Sequence, residues 1–416
     1  MLLRSSCYTA VSLHGADYLL PFGQAIVDQK SAFRLGGSGR ALWERLADAP
    51  SDKALVDGLI RDKEISDADR QEVQKEIAEW VSGLVSRNLL REVPDSGDSS
   101  GRVGPAESVD NIDRFRESPA ATLHIAGLTV ALEGSFDFFS GDFAPFAAAS
   151  GCADRPDQRI TVTLASPRPH PGATVLLEDD DLCILDEGAA WRILYPSSCV
   201  LRIARVSRDG TRAVLHIQPR ISDKKEQLQY EVFHACRLFF LIRARAAGCY
   251  ALHSASILYR GRAWLFSAPS GTGKSTHTAH WVKRGWAEMI NGDLNLIAPA
   301  ENGISPYEVR GIPWCGTSGI ATAKTFPLGG IILLRRSPDA DTVAGLSPDE
   351  KQLKTMQRLI TPSWTKEQLM DCLRFTGALT AAVPVWQLSC TAGPSSACVM
   401  KKAIDAFLDE QAGHLS

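Results

Sequence analysis

The stretch that most constrains the fold is Trp264-Leu265-Phe266-Ser267-Ala268-Pro269-Ser270-Gly271-Thr272-Gly273-Lys274-Ser275-Thr276. It reads as an apolar strand, a glycine-rich loop, and then Lys-Ser-Thr opening a helix. Backbone N–H groups of such a loop converge on a phosphate, and the positive N-terminus of the following helix adds to the attraction. Lys274 can reach β- and γ-phosphate oxygens, and the Ser275 hydroxyl can ligate Mg²⁺. The usual pattern begins with Gly, whereas Ala268 stands there. Alanine is tolerated if that position has negative φ, because the need for positive φ falls on the later glycines. The loop Ser270, Gly271, Thr272, Gly273, Lys274, Ser275 and Thr276 is therefore expected to hold ATP with Mg²⁺, GTP being the alternative nucleotide.

The rest of the composition limits the setting. A chain of 416 residues with 44% hydrophobic and 22% charged residues has the make-up of a soluble protein of two or three domains. A net charge of −3 supplies no global basic field, which disfavours nucleic acid or an anionic membrane as partner. No apolar run approaches the ~20 residues of a membrane span, and residues 1–7 lack a signal-peptide core. The cytoplasm is the expected compartment. The ten cysteines are scattered without a Cys-x-x-Cys and read as buried thiols. Cys315 stands apart because it falls in a glycine-rich loop near the expected site.

Residues 1–93 form one unit by pattern. Tyr8–Leu13, Asp17–Leu20 and Gln24–Asp28 read as short strands, followed by helices over Ser38–Leu46, Asp52 to about Arg61 and Ser66 to about Arg87, and a closing strand over 88–91. Val73, Ile77, Trp80, Val81, Leu84 and Val85 share one face of the third helix. With Ser38-Gly39-Arg40-Ala41-Leu42-Trp43, this arrangement resembles PqqD-like proteins, small winged-helix modules that bind leader peptides of ribosomally made, modified peptides. The resemblance implies that a leader strand adds to the β edge and packs on the third helix. The alternatives are a winged helix that binds DNA or one that dimerises. Glu72, Glu76 and Glu79 on the polar face of the third helix would repel phosphate.

Residues 94–118 are polar and rich in Gly and Ser, and read as a flexible linker. Residues 119–224 are strand-rich, with strands expected at Thr122–Ala126, Ile160–Leu164, Trp191–Tyr195 and Ala213–Ile217. The acidic run Glu178-Asp179-Asp180-Asp181 reads as a solvated turn in preference to a metal site. A helix from Lys225 to Ala246 buries Leu228, Val232, Cys236 and Phe239 and leads into the nucleotide-binding region.

Within residues 225–416, three elements accompany the phosphate loop: His253 in Leu252–Ile257, Asp293 at the end of Met289-Ile290-Asn291-Gly292-Asp293, and Glu308-Val309-Arg310-Gly311. In this order they resemble the HPr kinase family, which shares its fold with phosphoenolpyruvate carboxykinase. The whole chain is thus expected to be α/β and multidomain. It comprises a PqqD-like winged helix, a strand-rich middle segment and an HPr kinase-like phosphate-loop domain. The resemblance implies phosphotransfer to a Ser/Thr hydroxyl, with Asp293, His253, Lys274 and Arg310 catalytic and Ser275, Asp293 and Glu308 around Mg²⁺. His253 as a core histidine and Glu308–Arg310 as a structural ion pair are the plainer alternatives. So is helix packing for His277 and His280, whose spacing could otherwise pair them on a metal.

The chain departs from the family pattern at Gly292, where the first acid of an Asp pair is missing. The sequence after Arg310 is closer to diverged relatives that modify peptides. The expected partner is a precursor peptide whose leader is held by residues 1–93, with ATP as phosphoryl donor. The alternative is a peptide chaperone whose nucleotide site is regulatory. Assembly into a homo-oligomer is open.

Overall fold

The computed structural model of the chain describes residues 2–5, 7–22, 32–46, 51–63, 69–87, 89–92, 119–148, 155–164, 173–218, 224–269, 271–301, 303–391 and 393–413. The fold is α/β and multidomain. The chain divides into two compact units, Met1–Pro105 with Ser363–Lys366, and Ala106–Pro362 with Glu367–Ser416. Among the described residues no helix is long and apolar enough to cross a membrane.

The first unit runs β1 (Leu2–Arg4), β2 (Tyr8–Leu13), β3 (Ala16–Pro21), β4 (Phe33–Leu35), α1 (Gly39–Arg45), α2 (Asp52–Lys63), α3 (Arg70–Val85) and β5 (Leu90–Glu92). β1 pairs antiparallel with β5, and β2-β3-β4 form an antiparallel sheet in that order. The β2–β3 hairpin closes on His14 and Gly15, both at positive φ (45° and 86°). That geometry matches the right-handed twist of the two strands. Leu19 and Leu35 of the sheet pack with Leu42, Trp43, Leu46, Leu55, Val56, Ile77, Val81 and Leu84 of the helices. The strand expected at Gln24–Asp28, residues 64–68 at the expected start of the third helix and the linker 94–118 lie outside the described residues. The third strand of the sheet is instead β4.

The second unit opens with β6 (Pro119–Ile125), β7 (Leu128–Glu133), β8 (Gln158–Thr163), β9 (Thr174–Glu178), β10 (Cys183–Asp186), β11 (Ala190–Leu194), β12 (Leu201–Ser207) and β13 (Arg212–Ile217). They make an eight-stranded sheet in the order β6-β7-β8-β13-β12-β11-β10-β9. β8 pairs parallel with both β7 and β13. The acidic run is the β9–β10 turn, where Asp179 Oδ1 accepts the N–H of Asp181 (2.8 Å) and of Leu182 (2.7 Å). One carboxylate oxygen thus holds a local turn, as such side chains do in turns generally.

After this sheet come α4 (Lys225–Ala246), β14 (Tyr250–Tyr259), β15 (Arg262–Ser267), α5 (Lys274–Lys283), β16 (Glu288–Asn291), β17 (Leu294–Pro299) and β18 (Tyr307–Arg310). β19 (Thr325–Arg336), β20 (Thr342–Gly345), α6 (Pro348–Met356), α7 (Lys366–Ala382), β21 (Val385–Cys390) and α8 (Ser395–Gly413) complete the unit. α4 packs on β8, β12 and β14. Gln158 Nε2 of β8 donates to the Phe239 carbonyl of α4 and to the Gly210 carbonyl, each at 2.8 Å.

β14 and β19 are each long enough to serve two sheets. Tyr250–His253 pairs with β17, and the rest of β14 pairs with β15 and β16. The start of β19 pairs with β18, and its remainder with β15 and β21 in parallel.

β15 is buried on both faces, which explains its uninterrupted apolar run. Its side chains alternate, as in any strand. Ala263 and Leu265 join a core with Ile331, Phe375 and Leu379, while Trp264 and Phe266 join the opposite core with Trp281, Met400 and Ile404.

Candidate active site

The phosphate loop leaves β15 at Ala268 and enters α5 at Lys274. Gly271 (φ 72°) and Gly273 (φ 110°) carry the left-handed backbone, and Ala268 is not among the positive-φ residues. Ala268 therefore fits where glycine is usual. It is also buried, at 1% exposure, so its methyl packs in the core.

Lys274 is buried at 9% exposure, with Nζ donating to the Ala268 carbonyl at 3.3 Å. Burial pushes its pKa down, opposed by the charge of Asp293. A buried ammonium whose hydrogen bond among the described residues goes to a carbonyl favours an anion in front of it. Ser275 and Thr276 are exposed at the helix start. Ser270 lies outside the described residues.

Asp293 sits in the turn between β16 and β17. Asn291, almost fully buried, builds that turn. Its Oδ1 accepts the N–H of Asp293 (2.9 Å) and of Leu294 (3.1 Å), and its Nδ2 donates to the Ile312 carbonyl (3.3 Å). His253 of β14 lies beside Asp293, with Nε2 3.2 Å from Oδ1. The hydrogen bond from His253 holds the Asp293 carboxyl below the usual carboxylate range; burial opposes it, and the charges of Lys274 and Arg237 reinforce it. The structure thus brings Lys274, Asp293 and His253 together.

Glu308 and Arg310 are placed differently. Arg310 Nε donates to Glu308 Oε1 at 2.7 Å, and its Nη1 donates to the Ala126 carbonyl at 3.0 Å. Both charges act on Cys249, which precedes β14. Arg310 pairs with Leu296, three residues beyond Asp293, a step of about 10 Å along a strand. The two side chains hold each other and the β6–β7 turn.

Gly292 now has a physical explanation. A Cβ there would meet Ser318 Oγ at 2.3 Å, Ser318 Cβ at 2.4 Å and the Cys315 carbonyl at 3.2 Å. The 315–318 loop occupies the space a second carboxylate would need. Gly316 of that loop has φ 62°, and a Cβ on it would stand 2.7 Å from Asp293 Cβ. The loop backbone therefore abuts the Asp293 side chain directly.

His277 does not pair with His280 as a metal site. Its Nδ1 is 3.2 Å from Ser396 Oγ, and its Nε2 accepts from Trp281 Nε1 at 3.2 Å. Among the described residues no group of three or more His, Cys, Asp or Glu could hold a metal on its own. The available set for Mg²⁺ is Ser275 Oγ and Asp293, whose side chain is 38% exposed. That set fits an ion held chiefly by a nucleotide's own phosphates, which needs one or two protein oxygens.

Three basic side chains that the motifs did not single out also gather here. Arg336 at the end of β19 donates to the Gly271 carbonyl of the phosphate loop. Arg358, whose backbone carbonyl accepts the His253 N–H at 2.8 Å, repels the Lys274 ammonium. Arg237 of α4 acts on Asp293. Burial depresses the pKa of both Arg237 and Arg358. The one sequence signal for Arg237 was its place on α4 with Tyr230 and His234 at i, i+4 and i+7.

No protein-family model matches the chain, and no curated protein matches it either. Among solved structures it is similar to the HPr(Ser) kinase/phosphatase from Coxiella burnetii. That match has 11% identity and a TM-score of 0.23, covering 39% of this chain and 96% of that one.

Proposed function

We propose that the chain is an ATP-dependent phosphotransferase that acts on a Ser or Thr hydroxyl of a precursor peptide held by residues 1–93. The observation that carries this is the meeting of a glycine-rich loop and its buried Lys274 with the Asp293–His253 pair. Phosphoryl transfer asks the protein mostly to position reactants and to neutralise charge. The loop N–H groups and Lys274 hold the β- and γ-phosphates. Asp293 accepts the proton of the attacking hydroxyl, and His253 fixes the orientation of its carboxylate. Ser275 and Asp293, with the phosphates, would hold Mg²⁺, which would supply charge neutralisation when bound.

Two features support peptide capture. In the β2-β3-β4 sheet, β2 is an edge strand. Such an edge can take an added strand through main-chain bonds. Tethering the capture module to the transfer site would raise the local peptide concentration, to the order of millimolar for a short link.

The test is mass spectrometry of candidate precursor peptides incubated with Mg²⁺-ATP and either the wild-type chain or Lys274→Ala. A phosphate-sized gain that depends on Lys274 is the expected outcome. Leader binding without any gain would favour a second reading, a nucleotide-regulated peptide chaperone, which the absence of a second carboxylate at Gly292 also favours.

A further inference from the structure

Tyr230, His234 and Arg237 occupy one face of α4. At 1.5 Å per residue the face spans about 10 Å, the length of about three residues of extended chain. Its outer end is open: Tyr230 is 64% exposed and its ring meets that of His234, with centroids 4.3 Å apart. Its inner end lies within electrostatic range of the Asp293 carboxylate, whose charge acts on both His234 and Arg237.

One buried polar atom along this face is unsatisfied. His234 Nδ1 is buried without a hydrogen-bond partner. Arg237 is partly buried, and among the described residues it makes no ion pair or hydrogen bond. With no carboxylate in hydrogen-bond contact, a partly buried guanidinium is stabilised by an added anion, and its planar fork suits a carboxylate or phosphate.

The helix is anchored by Trp314. Trp314 Nε1 donates to the Phe233 carbonyl at 2.9 Å, and the Trp314 ring packs against Phe233 and Phe240. Trp314 belongs to the same loop that presses Gly316 against Asp293.

We propose that this face of α4 is the acceptor subsite, and that Arg237 binds an oxyanion of the acceptor. The substrate then presents its hydroxyl to Asp293 with a carboxylate or phosphate group close by. This rests on the reading of Asp293 as the centre of phosphoryl transfer, but the anion site itself can be tested without turnover.

The experiment titrates inorganic phosphate, and separately N-acetylglutamate, into the full chain saturated with Mg²⁺ and a non-hydrolysable ATP analogue. The analogue fills the γ-phosphate position, so further oxyanion binding reports on the acceptor side. The wild-type chain is expected to bind one further oxyanion. Arg237→Met should weaken it roughly tenfold or more, as loss of a charge-assisted pair implies. Affinity for the analogue should stay within about twofold, and Arg237→Lys should restore part of the oxyanion binding. Phosphate binding tighter than N-acetylglutamate points to an acceptor already phosphorylated, and the reverse order to an acidic residue.

Unchanged oxyanion binding in Arg237→Met would overturn the proposal. So would a loss of analogue affinity in that variant, because Arg237 would then serve the γ-phosphate. If the analogue does not bind the wild-type chain at all, the nucleotide reading fails separately, and the same titrations on the nucleotide-free chain decide the role of Arg237.

Discussion

Gly292 and Ser318 exclude one another: a β-carbon on the first would stand 2.4 Å from that of the second. Aspartate at 292 is therefore not expected to add a working second carboxylate. Gly292→Asp should cost about 1–3 kcal/mol in urea denaturation, the range for overpacked sites, and should lower transfer. Gly292→Asp combined with Ser318→Gly should recover most of that stability. A more active single variant with unchanged stability would show that the 315–318 loop is no obstacle.

Asp293→Asn should lower phosphotransfer by about 10²–10⁴-fold, the usual contribution of a positioned base. The turn should survive, because the supporting bonds come from Asn291. Nucleotide affinity measured by calorimetry is expected to change only a few-fold.

The pH profile gives a separate check. The hydrogen bond from His253 keeps the Asp293 carboxyl ionised to lower pH than usual. Removing it in His253→Phe raises that pKa, so the carboxylate is lost earlier on acidification. The acid limb of the rate profile should then move to higher pH, and an unmoved limb would mean that another group sets it.

Gly316→Ala places a methyl against Asp293 at a residue with positive φ. Backbone strain of about 1–2 kcal/mol is expected, with a fall in kcat and little change in nucleotide affinity. A stable variant with full kcat would release the loop from any role in placing Asp293.

His277 predicts acid sensitivity. Burial, its leading cause, pulls its pKa from the usual range to about 4. The unfolded chain binds this proton below about pH 6.5 while the folded chain resists it until about pH 4. The stabilising contribution is complete above that window and is lost as pH falls through it. Between pH 6.5 and 5 the loss should be about 2 kcal/mol, and His277→Gln should flatten this part of the stability curve.

The sequence made the phosphate loop, α4 and the strands around His253 and Asp293 legible, because local apolar periodicity and the glycine spacing coincide with real burial. The Leu228, Val232, Cys236 and Phe239 stripe is buried as its spacing implies. Three matters were not legible. Arg310 looks like a phosphate clamp in the linear motif, yet it holds the carbonyl of Ala126, a contact spanning 184 positions. Arg237 and Arg358 join the site only through packing of α4 and through the turn after α6. Gly292 reads as a lost residue until the backbone of a later loop is placed beside it.

Because β14 and β19 each belong to two sheets, their lengths are shared by two sets of partners. Inserting one residue in β14 would turn His253 to the opposite face and break pairing on both sides at once. In descendants of this chain, novelty can accumulate in connecting segments such as 315–324, while the reach of these two strands is inherited as a fixed dimension. The spacing of His253 and Asp293 is thus protected by the geometry that lets the sheets coexist.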